Sequence, residues 1–474
     1  MSARPLPPLL LRGECIAVMR SLPADSVDAV VTDPPYGLEF MGKGWDAPWA
    51  DTDINADAGF KGGGLSQTRN LPSFTGSTNP KCLACKGTQR GRRDGTAKVA
   101  VCLCPDGGRF PNVRGVEMRA FQHWCEQWAR EALRVLKPGG YLLAFGGSRT
   151  WHRLAAGIED AGFEMRDSIA WLYGSGFPKS LDVSKAIDKA AGAERRETSR
   201  VKGAGIGGGS TFTDDNWKGI GAESFAKQDA PATPDAERWQ GWGTALKPAF
   251  EPVVVARKPL GAKTVAANVL AHGTGALNID ATRVASGDAF GGGARGASGF
   301  ATGYSGDGWA AGSDAGRWPA NVMLDESQAA ALDAQSGTTT SQSGDRRAAN
   351  SGGVGFTHGG GEVPRMGHLD TGGASRFFYV AKAPKSERPV VDGVAHPTVK
   401  PLALMRYLCR LVTQPGGLVL DPFAGSGTTL EAAHLEGFEA IGVEMTPDYW
   451  PLIDARIARA IVKRATETKV ADDA

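Results

Sequence analysis

An α/β fold, a mostly parallel sheet with helices on both faces, is predicted by three features of this 474-residue chain. Toward the C-terminus apolar strands alternate with helices, the order that builds βαβ units. Val27–Thr32 is an apolar run that ends in Asp33-Pro34-Pro35-Tyr36-Gly37. Far downstream, Leu418–Leu420 runs into the glycine-rich turn Asp421-Pro422-Phe423-Ala424-Gly425-Ser426-Gly427-Thr428-Thr429. Each strand delivers chemically unusual residues to its carboxyl end.

Residues 9–37 read as a strand or turn, a short helix around Ile16 to Ser21, and the strand entering Asp33. They form the catalytic-motif part of one domain. Residues 38–115, rich in Gly, Asp, Asn and Thr without periodicity, read as an insertion. The domain continues over 116–188. A helix near Val116 to Lys137 sets Phe121, Trp124, Cys125, Trp128 and Ala132 at three- and four-residue steps. Pro138-Gly139-Gly140 stops it before a short strand, Tyr141 to Phe145. A helix over Trp151 to Ala161 and a strand over Phe163 to Tyr173 follow. Residues 189–380 read as glycine-rich insertions, apart from strand 249–256, which belongs to the core sheet. Residues 381–466 supply helix 401–413, the strand to Leu420, a helix, strand Glu439 to Val443 and a helix to about Arg464. Residues 467–474 are a tail.

The formal net charge is only +2, so no nucleic-acid partner can be read from global charge. Local excess occurs: nine Lys/Arg against three acids between Lys81 and Arg119, and eight against three between Arg365 and Arg410. Such clusters can meet phosphates or serve as a solvated surface. Seven cysteines do not form an even disulfide framework, and Met1–Pro8 holds no long apolar run of the leader-peptide kind. No stretch reaches membrane-spanning length, so a reducing, cytoplasmic setting is expected.

Proline fixes φ and donates no N–H, so the shelf Asp33-Pro34-Pro35-Tyr36 leaves carbonyls free to accept. A carboxylate, a free carbonyl and an aromatic face suit a flat ring bearing an exocyclic amine. The turn at Asp421–Thr429 lets backbone approach a ligand closely. A phosphate-binding P-loop would need Lys where Thr428 stands. The next strand ends Ile441-Gly442-Val443-Glu444, an acid where doubly wound folds hold a ribose diol. The competing reading makes Gly425 and Gly427 a plain tight turn and Glu444 a surface acid; the complete strand–turn–helix–strand–acid order favours a nucleoside site. Cys15, Cys125 and Cys409 sit in apolar, helix-like contexts and read as core, which argues against thiol-dependent cytosine C5 chemistry. Cys82 and Cys85 with Cys102 and Cys104 have spacing that can close a structural zinc site, displaying Lys86, Arg90, Arg92 and Arg93 to phosphates.

Together the two motifs resemble the DNA amino-methyltransferases, which methylate adenine N6 or cytosine N4 in DNA with S-adenosylmethionine. Leu136–Gly140, Tyr173–Ser180, Pro248–Pro259 and Arg376–Tyr379 look like segments of phage-type members. The resemblance implies a Rossmann-like S-adenosylmethionine-dependent methyltransferase fold with insertions. Its motif order, catalytic strand before cofactor strand, is the permuted order of the beta class, which implies target recognition between the motifs, in residues 189–380. It implies that Asp421, Phe423, Ala424, Gly425, Ser426, Gly427, Thr428 and Thr429 line the cofactor, with Glu444 on the ribose. His396, Thr398, Lys400 and Pro401 would pack beside the methionine part, and Glu14 would replace the family's acid facing the cofactor adenine. Asp33 and the Pro34 carbonyl would accept the target amine's protons, with Pro35 and Tyr36 completing the motif and Tyr36 stacking on a base flipped from duplex DNA. Asp at the head of the motif favours adenine N6, with cytosine N4 as the alternative. A non-catalytic DNA-binding relative and an RNA or protein amine methyltransferase are the remaining readings. Double-stranded DNA is the implied partner, and the resemblance admits a cognate restriction endonuclease.

Overall fold

The computed structural model describes residues 5–37, 113–176, 180–202, 225–285, 316–340, 344–346, 363–365, 370–381, 387, 389–391 and 393–472. Cys82, Cys85, Cys102 and Cys104 lie outside them, with Lys86, Arg90, Arg92 and Arg93. Residues 1–172 and 251–474 form one compact unit and Tyr173–Phe250 a second.

The first unit is organised on nine strands: β1 (Leu9–Arg12), β2 (Val27–Thr32), β3 (Leu136–Phe145), β4 (Glu164–Leu172), β5 (Phe250–Arg257), β6 (Val322–Asp325), β7 (Tyr379–Ala381), β8 (Leu418–Asp421) and β9 (Glu439–Glu444). Their order is β1-β9-β8-β2-β3-β5-β4-β6-β7. Parallel pairing joins β1 to β9, β9 to β8, β8 to β2 and β2 to β3. It also joins β4 to β6 and β6 to β7. β5 runs antiparallel to β3. This is the mostly parallel, Rossmann-like sheet that the alternating pattern predicts.

Every residue of β2 is buried, which a continuous apolar run can bear only when both sheet faces are covered. One face packs on α1 (Cys15–Ser21), α2 (Val113–Val135) and α3 (Trp151–Asp160). Leu142, Ala144, Leu420 and Val443 meet Trp124, Trp128 and Leu154 there. The alternate positions Ala29, Val31, Leu143 and Val419 are buried as well. On their side lies α6 (Leu402–Val412), following α4 (Val265–His272) and α5 (Glu326–Ser336) in the chain. α7 (Thr428–Glu436) and α8 (Trp450–Asp472) complete the unit.

Two boundaries differ from the sequence reading. α2 ends at Val135, and Leu136–Gly140 already belong to β3. The Pro-Gly-Gly segment is an enlarged bulge: Leu136 pairs with Val27, whereas the next pair is Tyr141 with Ala29. Buried Asn268 and Thr274 both donate to the Pro138 carbonyl, at 2.8 and 2.6 Å, which fixes the bulge. Within the span read as glycine-rich insertion, β6, β7, α4 and α5 are ordered, and β6 and β7 extend the main sheet.

In the second unit, helix Val183–Ala191 is capped by Asp182 and ended by Gly192 in the left-handed region. Strands Arg196–Lys202 and Phe225–Ala230 pair antiparallel. Buried Asp188 ties the unit together, accepting from Arg195, the Ala232 amide and Thr233. Its neighbours hold its carboxyl below the usual range against the opposing effect of burial. Among the described residues no helix is long and apolar enough to cross a membrane.

Asp28 fastens the two ends of the chain. It is 3% exposed and accepts from Lys137 Nζ at 2.7 Å, Gln414 Nε2 at 3.1 Å and the Leu418 amide at 2.8 Å. Asp28→Ala strands those donors and should lower stability by about 2–4 kcal/mol. Urea unfolding with an unchanged midpoint would refute this.

Candidate active site

The pairs Val419–Ala29 and Leu420–Val30 set the carboxyl ends of β8 and β2 side by side. The acid-proline shelf and the glycine turn therefore emerge next to each other. Thr32 Oγ1 donates to Asp421 Oδ1 at 2.6 Å across 389 residues of sequence, and the Phe423 amide donates to the same oxygen at 3.1 Å. Asp421 is 2% exposed. Burial pushes its carboxyl up to about 6, against hydrogen bonds from Thr32, Thr429 and Phe423 that favour the ionised form. It braces the two motifs rather than presenting itself to solvent.

Beyond Asp421 the chain turns sharply. Phe423 packs between Trp124 and Trp128 of α2, with ring centroids 5.6 and 5.4 Å apart. Gly425 and Gly427 both hold positive φ, +53° and +81°. A Cβ on Gly425 would sit 3.1 Å from His396 Nε2, and one on Gly427 3.1 Å from Ile453. Ala424, Ser426, Thr428 and Thr429 are buried behind the turn. The Glu444 carboxylate accepts from the Gly425 and Thr446 amides, each at 2.8 Å. Burial raises its pKa while those amides oppose the shift. An ionised carboxylate has about four acceptor positions, so Glu444 keeps capacity for further donors. Glu14 stands at the end of neighbouring β1, where its carboxylate caps α1 by accepting from the Ile16 and Ala17 amides at 3.0 and 2.8 Å.

His396 covers Gly425. Its ring meets Tyr449 edge-on at 4.6 Å and its Nδ1 contacts Thr398. Burial lowers its pKa, which favours the neutral imidazole. Thr398 is exposed and Pro401 buried at the start of α6. Lys400 departs from that cofactor-side group and joins the acid shelf. Its Nζ lies 2.5 Å from Asp33 Oδ2, 3.1 Å from Tyr36 Oη and 3.3 Å from Glu251. The same ammonium lies over the Phe145 ring at 4.9 Å. Burial disfavours the ammonium, but Asp33 and Glu251 outweigh it and hold the pKa above the ordinary lysine value.

Tyr36 Oη reaches Asp33 Oδ1 at 2.9 Å and Glu251 Oε2 at 3.1 Å. Burial first, then these two carboxylates, push its pKa well up, so the hydroxyl keeps its proton. Thr150 donates to the Tyr36 carbonyl at 2.7 Å, and the Gly147 backbone lies close against the ring. Pro34 is buried and Pro35 half-buried. Among the described residues none donates to the Pro34 carbonyl. An acceptor pair suited to an amine thus stands beside a turn suited to a nucleoside.

Sequence reasoning did not find Glu251. Its signal was an acid placed just ahead of the apolar run Val253–Ala256 in an interior strand, where it is half-buried. The thiols of Cys15, Cys125 and Cys409 are buried, and burial pushes each pKa up, so they are poor nucleophiles. No group of described residues could hold a metal ion.

The family model N6_N4_Mtase, described as DNA methylase, matches residues 105–197 and 370–454. The Type II methyltransferase M.HindIII of Haemophilus influenzae is 22% identical over 437 residues, which is 91% of this chain and 90% of that protein. The putative methylase YubD of Escherichia coli is 41% identical over 78 residues, 16% of this chain and 34% of that one. The DNA adenine methyltransferase YhdJ of the same organism is 46% identical over 54 residues, 11% and 18% of the two chains. Among solved structures, the PvuII cytosine-N4-specific DNA methyltransferase aligns with 98% of this chain and 94% of its own, at 13% identity and TM-score 0.38. A putative DNA modification methylase of Thermus thermophilus, complexed with S-adenosyl-L-methionine, aligns at 16% identity and TM-score 0.36, covering 96% and 94%.

The buried Asp421 generates a pH dependence. Its folded pKa of about 6 lies above the unfolded carboxyl value of about 3.9. The folded state binds that proton more tightly, so stability is highest below the unfolded value and falls as pH rises to the folded one. Asp421→Asn keeps the acceptor oxygen without the titration. The unfolding free energy of the wild type relative to this variant should fall by up to about 3 kcal/mol between about pH 4 and pH 7. A flat difference would contradict the burial argument.

Proposed function

We propose that this chain, similar to the DNA methylases over residues 105–197 and 370–454, is an amino-methyltransferase of the N6-adenine/N4-cytosine kind that methylates adenine N6 in double-stranded DNA with S-adenosylmethionine as donor. The observation that carries the reading is the pairing of β2 with β8, which puts Asp33-Pro34-Pro35-Tyr36 beside the Gly425–Gly427 turn. The turn fits a nucleoside donor: Gly425 and Gly427 hold the positive φ of a sharp turn at the strand end, and Glu444 retains acceptor positions for a ribose diol. Glu444, the turn and His396 would hold the donor; Glu14 is the proposed partner of its adenine. When bound, the donor supplies an electrophilic sulfonium methyl.

An exocyclic amine conjugated with its ring is a weak nucleophile. Asp33 accepts one of its protons in a hydrogen bond and the Pro34 carbonyl accepts the other, which concentrates electron density on nitrogen. Lys400 and Tyr36 hold the Asp33 carboxylate in place from either oxygen. The site works by positioning and electrostatic preorganisation, with no covalent enzyme intermediate. The target base reaches it by flipping from the duplex, and Tyr36 stacks on it.

Adenine is favoured because Asp33 leads the motif, and YhdJ, which shares a short stretch with this chain, is an adenine enzyme by name. Target recognition is assigned to the region 189–380. A structural zinc on Cys82, Cys85, Cys102 and Cys104 is supported by the two cysteine pairs alone. A cognate restriction endonuclease and a cytoplasmic setting accompany the reading.

Labelled donor, unmethylated DNA and nucleoside analysis of the digest test the proposal. N6-methyladenine is the expected product; N4-methylcytosine would keep the chemistry and replace the base. Donor binding without label in DNA would overturn the reading. Asp33→Ala should slow single-turnover transfer at least about a hundredfold while leaving donor affinity nearly unchanged; transfer at the wild-type rate would remove Asp33 from the site.

A further inference from the structure

Three polar groups crowd the Tyr36 hydroxyl. Asp33 Oδ1 lies at 2.9 Å, Glu251 Oε2 at 3.1 Å and Lys400 Nζ at 3.1 Å. A phenolic hydroxyl has one proton to give and two lone pairs to receive, and an ammonium only donates. Lys400 therefore takes one lone pair, and the hydroxyl proton goes to one carboxylate. The other carboxylate faces the remaining lone pair. That last contact becomes a hydrogen bond only when its carboxyl carries a proton. The cluster is thus complete with one proton more than two ionised carboxylates and a lysine ammonium supply. Lys400 is buried, and its single positive charge faces two acids, so the added proton also brings the pocket to neutrality.

Methylation of an amine releases one proton. We propose that Asp33, Tyr36 and Glu251 form a relay that carries this proton from the target amine to Glu251; the proposal rests on the methyltransferase reading above. As the new carbon–nitrogen bond forms, the carbon–sulfur bond breaks with its electron pair left on sulfur, and nitrogen is left with one proton in excess. Asp33 takes that proton. Tyr36 then accepts it from Asp33 while handing its own hydroxyl proton to Glu251. Asp33 is ionised again for the next turnover, and no charge is created or lost. Glu251, with 19% of its side chain exposed, releases the proton to water. It acts through Tyr36 and is a positioning residue, placed by antiparallel β5 at the back of the shelf. The charged and titratable groups facing this relay are Lys400, which touches all three members, and His396 and Asp421, which act on Asp33 through space.

Glu251→Gln preserves shape and hydrogen bonding but accepts no proton. Single-turnover transfer should fall about a hundredfold, the lower end of what a proton-transfer group supplies, with donor affinity unchanged. Tyr36→Phe keeps the ring and breaks the chain, so the double variant should be no slower than the slower single one. A Glu251→Gln rate equal to wild type, or fully additive losses, would overturn the relay. A second readout needs no turnover. Neutron diffraction from ligand-free crystals stepped to lower pD should locate deuterons on both the Tyr36–Asp33 and Tyr36–Glu251 lines, whereas a Tyr36–Glu251 line that stays empty while other carboxyls fill would refute it. Absence of methyl transfer by the wild type would instead count against the proposed function and leave the neutron result to judge the cluster.

Discussion

The parallel pairing of β2 with β8 is the constraint on which the rest depends. It joins segments almost 400 residues apart in sequence, yet loop-closure entropy grows only slowly with length, so the pairing is limited by what it buries. The seam is fastened by several groups at once: the Asp28 carboxylate on the Leu418 amide, Thr32 on Asp421, and Lys400 on Asp33. From it the sheet runs both ways, through β9 to β1 and through β3 to β5. Such a switch point opens a crevice at the strand ends, where open α/β sheets bind ligands.

Charge inside that crevice is arranged by the same logic. A buried ammonium is costly unless paired, and Lys400 is paired with both Asp33 and Glu251. Asp421 solves the problem differently, through a raised pKa and hydrogen bonds from Thr32, Thr429 and Phe423. The two acids of neighbouring strands consequently differ in character: one is braced and buried, the other is held at the shelf by a cation. Tyr36 links the cation, Asp33 and Glu251 through one hydroxyl.

Much of this was legible in the sequence because it is local. Apolar runs ending in Asp33-Pro34-Pro35-Tyr36 or in Gly425-Ser426-Gly427 declare strand ends and turns through residue types that backbone geometry demands. The alternation after Pro397 declares parallel strands for the same reason. Glu251 was not legible, since its role arises only when antiparallel β5 is set beside β3. Lys400 was grouped with its neighbours His396 and Thr398, but its long side chain reaches the other motif. β6 and β7, of four and three residues, are too short to show period-two alternation amid glycine-rich sequence. The bulge at Pro138-Gly139-Gly140 reads as a stop because its support, Asn268 and Thr274, lies more than 100 residues away.

If the two motifs form one site, the donor lies on one side of the seam and the amine on the other. A crystal structure with a non-reactive analogue of the sulfonium donor tests it most directly. The account predicts the ribose hydroxyls on Glu444, the turn at Gly425–Gly427 against the ligand, and the methyl position directed at the Asp33-Pro34 shelf. An analogue bound away from Glu444, or with its methyl position turned from Asp33, would contradict it.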